Sequence, residues 1–123
     1  MRTIAIFNLK GGVGKTSTAV NLAYLAARSG HRVLLWDLDP QGAATFLFRV
    51  KPRVKGGGQG LVSGKRPVDD AVKATDYDNL DLLPADFSYR NMDLELDDAK
   101  KRTGRLHQLL SGVADDYDIA FLD

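Results

Sequence analysis

A glycine-rich segment near the start of the sequence constrains the fold more than any other feature. Residues 9–16 read LKGGVGKT; an apolar run at residues 3–7 precedes them, and residues 17–28 have the apolar spacing of a helix. A strand, a glycine-rich turn and a helix in this order form a phosphate-binding site, because glycine lets backbone N–H groups turn inward and the helix adds the positive end of its dipole. The sequence therefore predicts a phosphate loop inside an α/β fold.

The polar residues of this loop have expected roles. Lys15 is expected to reach the outer phosphates of a nucleotide, and Thr16 to place its hydroxyl on Mg²⁺. The predicted ligands of the loop are therefore the phosphates of a nucleotide and Mg²⁺. The predicted nucleotide-binding residues are Lys10, Gly11, Gly12, Val13, Gly14, Lys15, Thr16 and Ser17. The alternative is a plain glycine turn that carries a lysine on a solvated face.

The loop departs from the common pattern G-x-x-x-x-G-K-[ST], since Leu9 stands where the first glycine is required. A second lysine, Lys10, instead begins the glycine run. This arrangement resembles the deviant Walker A loop of the ParA/MinD family of ATPases. In that family the front lysine crosses a dimer interface to the phosphates of the partner's ATP. The resemblance thus implies this role for Lys10, and it implies that Lys10 and Lys15 both act in catalysis.

Two aspartates follow the second predicted strand. Residues 32–36 are mostly apolar, and residues 37–42 then read DLDPQG. Carboxylates at the C-terminal ends of parallel strands lie at the sheet edge that holds the phosphate loop. The segment is similar to switch I of the same family, which implies that Asp39 lies near the attacking water as a catalytic residue and that Asp37 lies near the metal. The alternative is a proline-glycine turn whose aspartates cap a helix at residues 43–48.

A further carboxylate ends the sequence. Residues 118–122 are expected to form a largely apolar strand that leads to Asp123. The resemblance implies that this is the Walker B strand and that Asp123 holds a Mg²⁺-bound water. The predicted metal site therefore consists of Thr16, Asp37 and Asp123. In the family roughly as much chain again follows this strand. We therefore expect residues 1–123 to be the N-terminal portion of a single ParA-like ATPase domain, truncated at the Walker B strand.

The pattern as a whole predicts the first half of a doubly wound P-loop NTPase sheet, mostly parallel, with helices on both faces. The strand at residues 3–8 is apolar nearly throughout, so it is expected in the middle of the sheet. Residues 49–66 combine alternating basic residues with a glycine run; they predict an irregular surface loop, with contact to DNA phosphates as the alternative. The other expected elements are helices at residues 14–29, 43–48, 67–74 and 103–114, a partial helix at 86–98, and strands at 32–36, 79–84 and 118–122.

Charge and cysteine content narrow the function classes. Residues 1–68 hold eleven Lys and Arg against two Asp, whereas residues 69–123 hold six against fourteen acidic residues, which agrees with the overall formal charge of +1. The basic first half fits a polyphosphate ligand, while the acidic second half argues against a domain that coats DNA uniformly. Without cysteine, this stretch has neither disulfides nor a cysteine-ligated cluster. No signal peptide or bilayer-length apolar run is present, so a cytoplasmic location is expected.

The resemblance implies a dimerisation switch that binds and hydrolyses ATP. ATP would join two copies face to face, and hydrolysis would release them. The ParA-like version drives plasmid or chromosome partition with a ParB-like centromere-binding protein and binds DNA nonspecifically through the second half of the domain, which implies association with the nucleoid and no membrane partner. Alternatives are a MinD-like membrane-cycling ATPase, a positioning ATPase of polysaccharide synthesis, a nitrogenase-type iron protein, and a carboxylate-activating ligase like cobyrinic acid or dethiobiotin synthetase. The fragment alone is expected to be weakly active or inactive.

Overall fold

A five-stranded sheet organises the chain. The computed structural model describes residues 1–7, 14–91 and 99–123, and it describes no side chains at residues 91 and 99–103. The strands are β1 (Arg2–Ala5), β2 (Val33–Trp36), β3 (Lys73–Ala74), β4 (Leu80–Leu83) and β5 (Ile119–Leu122), in the order β1-β5-β2-β4-β3. All pairs are parallel except β3 with β4. The mostly parallel α/β architecture is therefore confirmed.

Helices cover both faces of this sheet. They are α1 (Lys15–Arg28), α2 (Ala43–Leu47), α3 (Gly57–Ser63), α4 (Val68–Ala71) and α5 (Ala99–Ser111), with a 3₁₀ turn at Phe87–Asn91. The core cluster on one face joins α1 and α2 to β2 and β4, and a second cluster joins α3, α4 and α5 to the opposite face. No helix in the described ranges has the length and apolarity needed to cross a bilayer.

Strand β2 lies at the centre of the core. All four of its residues are buried, because β5 and β4 pair with it on either side and helices cover it above and below. Val33 and Leu35 pack toward α1, whereas Leu34 and Trp36 pack toward α3 and α5. Helix α1 approaches closely through Ala19, Ala23 and Ala27, its buried residues. Both faces of β2 are therefore apolar, as its sequence indicates.

Among the described strands, the first strand lies at an edge of the sheet, whereas it was expected in the middle. β1 comprises Arg2–Ala5, ends before residue 8, and pairs only with β5 among the described strands, so it lies at the sheet edge. Phe7, just beyond it, is 80% exposed. An apolar run indicates a strand suited to burial on its faces, but the lateral order of strands depends on long-range pairing. Here β5 enters between β1 and β2.

Residues 49–66 were expected to be irregular, but they contain α3 within the glycine run. Two outside groups hold this helix and the segment before it: the Ser88 hydroxyl accepts the Gly58 N–H in the helix at 2.8 Å, and the Asp86 carboxylate accepts the N–H of Val54, three residues before the helix, at 2.8 Å. Leu61 is fully buried in the core. At Gly57, where φ is 65°, a Cβ would stand 2.9 Å from the Ser88 oxygen, so glycine allows the close approach.

Other boundaries also differ from the expected ones. The helix expected at residues 67–74 ends at Ala71, and Lys73–Ala74 instead pairs antiparallel with β4. Helix α5 spans Ala99–Ser111, earlier than the expected 103–114. The partial helix expected at 86–98 includes the 3₁₀ turn, and residues 92–98 lie outside the described part.

Candidate functional site

Three of the predicted site residues meet at the carboxyl edge of the sheet. The Lys15 ammonium nitrogen lies 2.6 Å from Asp123 Oδ1, and the Thr16 hydroxyl donates to Asp123 Oδ2 at 3.1 Å. Lys15 and Thr16 begin α1, and Asp123 follows β5 directly. The Asp123 side chain is fully buried and that of Lys15 is 17% exposed, so a charged pair is largely withdrawn from water.

Backbone hydrogen bonds fix the two acidic strand ends. The Asp123 N–H donates to the Trp36 carbonyl at 2.9 Å, and the Leu38 N–H donates to the Asp123 carbonyl at 2.8 Å. The Asp37 N–H likewise donates to the Leu83 carbonyl at 3.0 Å. The sheet pairing thus continues one residue past each strand, which holds Asp37 and Asp123 on the rigid part of the fold.

Asp37 is fully buried, and both of its carboxylate oxygens accept hydrogen bonds. Oδ2 accepts the Thr45 N–H at 2.8 Å and the Thr45 hydroxyl at 2.7 Å, and Oδ1 accepts the Asp39 N–H at 3.2 Å. Burial raises the pKa of Asp37, the Thr45 bonds oppose that rise, and the charge of Asp123 adds to it. Asp37 therefore caps α2 at Thr45, as the turn alternative anticipates, and its place at a metal stays a prediction.

Asp39 occupies a turn apart from the Lys15–Asp123 pair. It is partly exposed, and its Oδ1 accepts the Gln41 N–H at 2.9 Å, which is a local turn bond. No hydrogen bond in the described ranges joins Asp39 to Lys15 or Asp123. Its assignment to the attacking water stays a prediction.

The front of the loop lies outside the described residues. Lys10, Gly11, Gly12 and Val13 belong to this part, so their predicted contacts with nucleotide remain predictions. Gly14 has φ of 79° and precedes α1, a conformation that favours glycine. The Ser17 side chain is exposed in the first turn of α1.

Sequence reasoning missed Thr45. Its hydroxyl donates to Asp37 and accepts the Ala85 N–H at 2.9 Å, and the residue is fully buried. It therefore joins the ends of β2 and β4 through one oxygen. A threonine in a short helix gives no local signal of this role, because its partners lie eight and forty residues away in sequence.

The donor set fits Mg²⁺ better than a transition metal. The Thr16 hydroxyl and the Asp123 carboxylate are hard oxygen donors, which Mg²⁺ prefers. Within residues 1–7, 14–91 and 99–123 no group of three or more His, Cys, Asp or Glu could hold a metal by itself. Mg²⁺ usually keeps waters and takes one or two carboxylates together with substrate phosphates.

A family model and two known proteins are similar to this chain over most of its length. A family model described as "AAA domain" matches residues 1–123. The chain is 41% identical over 123 residues to the sporulation initiation inhibitor protein Soj of Bacillus subtilis (strain 168), covering 99% of this chain and 49% of Soj. It is 40% identical over 114 residues to the chromosome partitioning protein ParA of Caulobacter vibrioides (strain NA1000 / CB15N), covering 92% and 43%.

A solved structure shows the same likeness. The cobyrinic acid a,c-diamide synthase from Mycobacterium smegmatis, with bound ATP analog and magnesium, superposes with a TM-score of 0.89 at 31% identity, over 100% of this chain and 50% of that one. The chain therefore spans about half the length of the proteins it matches.

Proposed function

Because the chain belongs to the ParA/MinD family of P-loop ATPases, covered by the AAA-domain model, we propose that it is the nucleotide-binding part of an ATP-dependent dimerisation switch. The P-loop NTPase fold class predicted from the sequence is confirmed by the structural likeness. The proposal covers three properties of the whole protein: that it binds ATP, that it hydrolyses ATP, and which partners it binds.

One observation carries this proposal: Lys15 and Thr16 converge on Asp123. A cation, a hydroxyl and a carboxylate are thereby gathered where a helix begins and a parallel strand ends. Phosphoryl transfer needs mainly positioning and neutralisation of negative charge, and these are the groups that serve it.

Five residues have a proposed part in the reaction. Lys15 would leave Asp123 to bind the outer phosphate oxygens, the Thr16 hydroxyl would bind Mg²⁺, and Asp123 would hold a water bound to that ion. When bound, Mg²⁺ neutralises charge on the phosphate oxygens. Asp39 orients the attacking water, and Lys10 adds a second cation to the ATP of a partner copy. Hydrolysis is thereby tied to dimerisation.

The process that this switch serves is proposed from the relatives. One of them is named a chromosome partitioning protein, so we propose plasmid or chromosome partition with a ParB-like partner. The proposed location is the cytoplasm, at the nucleoid, with nonspecific DNA bound through sequence beyond the part described.

The test separates the two lysines in the intact protein. Lys15→Ala should abolish binding of a fluorescent ATP analogue with Mg²⁺, whereas Lys10→Ala should keep binding but lose ATP-dependent dimers in sedimentation. Lys65→Ala, at an exposed lysine after α3, is the matched control. Circular dichroism checks that each variant is folded. Undiminished binding by Lys15→Ala would refute the phosphate assignment, and dimers formed by Lys10→Ala would refute the switch.

Asp39→Ala tests ATP hydrolysis separately from ATP-dependent dimerisation. The variant should form ATP-dependent dimers that decay more slowly than those of the wild type, because water is no longer oriented for attack. Hydrolysis at the normal rate would remove Asp39 from the mechanism.

A second candidate is a carboxylate-activating ligase, favoured by the likeness to cobyrinic acid a,c-diamide synthase. Such an enzyme would consume ATP only with a small carboxylic acid and without stimulation by DNA. ATP turnover that requires cobyrinic acid and does not rise when DNA is added would select this candidate over the switch.

A further inference from the structure

Two large apolar side chains on α2 face solvent. Phe46 is 79% exposed and Leu47 is 56% exposed. They line a groove of about 520 Å³, whose remaining walls are residues 49–52. Adjacent exposed apolar side chains that line a concave surface are typical of interaction sites. We refer to this as the α2 groove.

A basic groove continues from it. This second groove, of about 620 Å³, shares Arg49, Val50 and Lys51 with the α2 groove and extends toward β3. Its charged lining residues are Arg49, Lys51, Arg53, Lys55 and Lys73, with Asp70 as the single carboxylate. No salt bridge in the described part of the chain joins these five cations to a carboxylate. Asp86 lies close enough to Arg53 for their charges to interact, so it offsets only part of the excess.

The apolar pair is held outward by the opposite side of α2. This helix has five residues, too few to be stable alone, but Thr45 is tied to Asp37 by two hydrogen bonds and Phe48 is buried beneath it. The inward face is thus fixed, and Phe46 and Leu47 cannot turn into the core. The basic groove also reaches β3, at the sheet edge opposite β1 among the described strands.

We propose that the two grooves form one docking surface for an acidic segment of a partner protein. Apolar side chains of that segment occupy the α2 groove, and its carboxylates lie along residues 49–55. The phosphate backbone of a nucleic acid would meet the cations but would leave Phe46 and Leu47 in water. A bilayer is flat, whereas both surfaces are concave. This inference goes beyond the proposed function, because the binding requires no nucleotide.

The probe is a short fluorescein-labelled peptide in which Leu and Phe precede a run of Glu, measured by fluorescence anisotropy without nucleotide. Leu47→Ser should weaken binding about tenfold, because the apolar contact is lost. Lys51→Glu should weaken it severalfold and reduce its dependence on salt. The matched controls are Leu25→Ser, since Leu25 is 55% exposed on α1, and Lys65→Glu; both should bind as the wild type does.

Three results would overturn the proposal. The first is that the control variants weaken peptide binding as much as Leu47→Ser does, or that Leu47→Ser does not weaken it. The second is stronger binding to a random-sequence DNA duplex than to the peptide, with Leu47→Ser unaffected, which would identify a nucleic-acid groove. The third is binding to anionic phosphatidylserine vesicles that depends on Phe46 in the absence of peptide binding. The substituted side chains are exposed, so folding is not at risk, and circular dichroism checks it.

Discussion

Replacing Lys15 with Met should destabilise the chain, because it leaves a buried carboxylate without its cation. The Asp123 side chain is fully buried, and its Oδ1 lies 2.6 Å from the Lys15 ammonium nitrogen; the Lys15 side chain is 17% exposed. Breaking a buried pair by removing one partner costs about 3 to 5 kcal/mol. The residual access of water to Lys15 puts this pair near the lower bound, at about 3 kcal/mol.

The reverse substitution should cost less. In Asp123→Asn the ammonium group of Lys15 can turn to water, and the side-chain oxygen can still accept the Thr16 hydroxyl, so we expect a loss of about 1 to 2 kcal/mol. In the double variant Lys15→Met/Asp123→Asn no charge is buried unpaired. Its loss should therefore be smaller than the sum of the single losses by about 2 kcal/mol.

Urea unfolding followed by circular dichroism measures this cycle. A loss of about 3 kcal/mol lowers the unfolding midpoint by about 1 to 3 M urea for ordinary slopes. Mg²⁺-ATP gives an internal check, since a ligand at about one hundred times its Kd stabilises by about 2.7 kcal/mol, and this gain should vanish in Lys15→Met. Additive losses in the cycle, or a Lys15→Met midpoint equal to that of the wild type, would refute the reasoning.

Three further predictions concern the surrounding scaffold. Thr45→Val should cost about 2 to 3 kcal/mol in urea unfolding, because Asp37 and a buried N–H lose a partner, while Thr45→Ser stays near the wild type; equal losses would contradict this. Gly57→Ala should destabilise through its clash and its φ of 65°, whereas Gly104→Ala, with open space around it, should gain up to about 1 kcal/mol. Burial raises the pKa of Asp37, so its contribution to stability is complete below about pH 4 and falls as pH rises through the raised pKa; Asp37→Asn should flatten that loss in a pH series of thermal melts.

The sequence predicts the parts of this molecule that depend on local pattern. Short-range features predict helix α1, the apolar strand β2 and the carboxylates that follow β2 and β5, and the structure has all of these in the expected places. The convergence of Lys15 and Thr16 on Asp123 follows from the rule that parallel strands end at one edge.

Features set by distant partners could not be predicted in this way. The insertion of β5 beside β1 depends on pairing across more than a hundred residues. The helix in the glycine run is held by Ser88, and the segment that leads into it by Asp86; both supply acceptors that lie about thirty residues away in sequence. Thr45 acquires its role from Asp37 and Ala85, and neither pair is encoded by periodicity. In the last two cases a side chain satisfies a backbone group of another segment, and in the first case two distant backbone segments pair; a window of sequence does not contain these partners.

The two buried carboxylates at neighbouring strand ends have partners of different kinds, and this difference determines which of them can respond to a ligand. Asp123 is paired with a lysine whose long side chain can be transferred to phosphate oxygens. Asp37 is bound by the hydroxyl and N–H of Thr45, which cannot leave without unfolding α2. We therefore expect phosphate binding to change the partners of Asp123 first, while Asp37 keeps α2 fixed to the sheet. The docking surface proposed on α2 then presents the same Phe46 and Leu47 before and after that change. The affinity for the acidic peptide should therefore be independent of nucleotide. If adding Mg²⁺-ATP changes that affinity by more than about threefold, or about 0.65 kcal/mol, then α2 moves when the nucleotide binds.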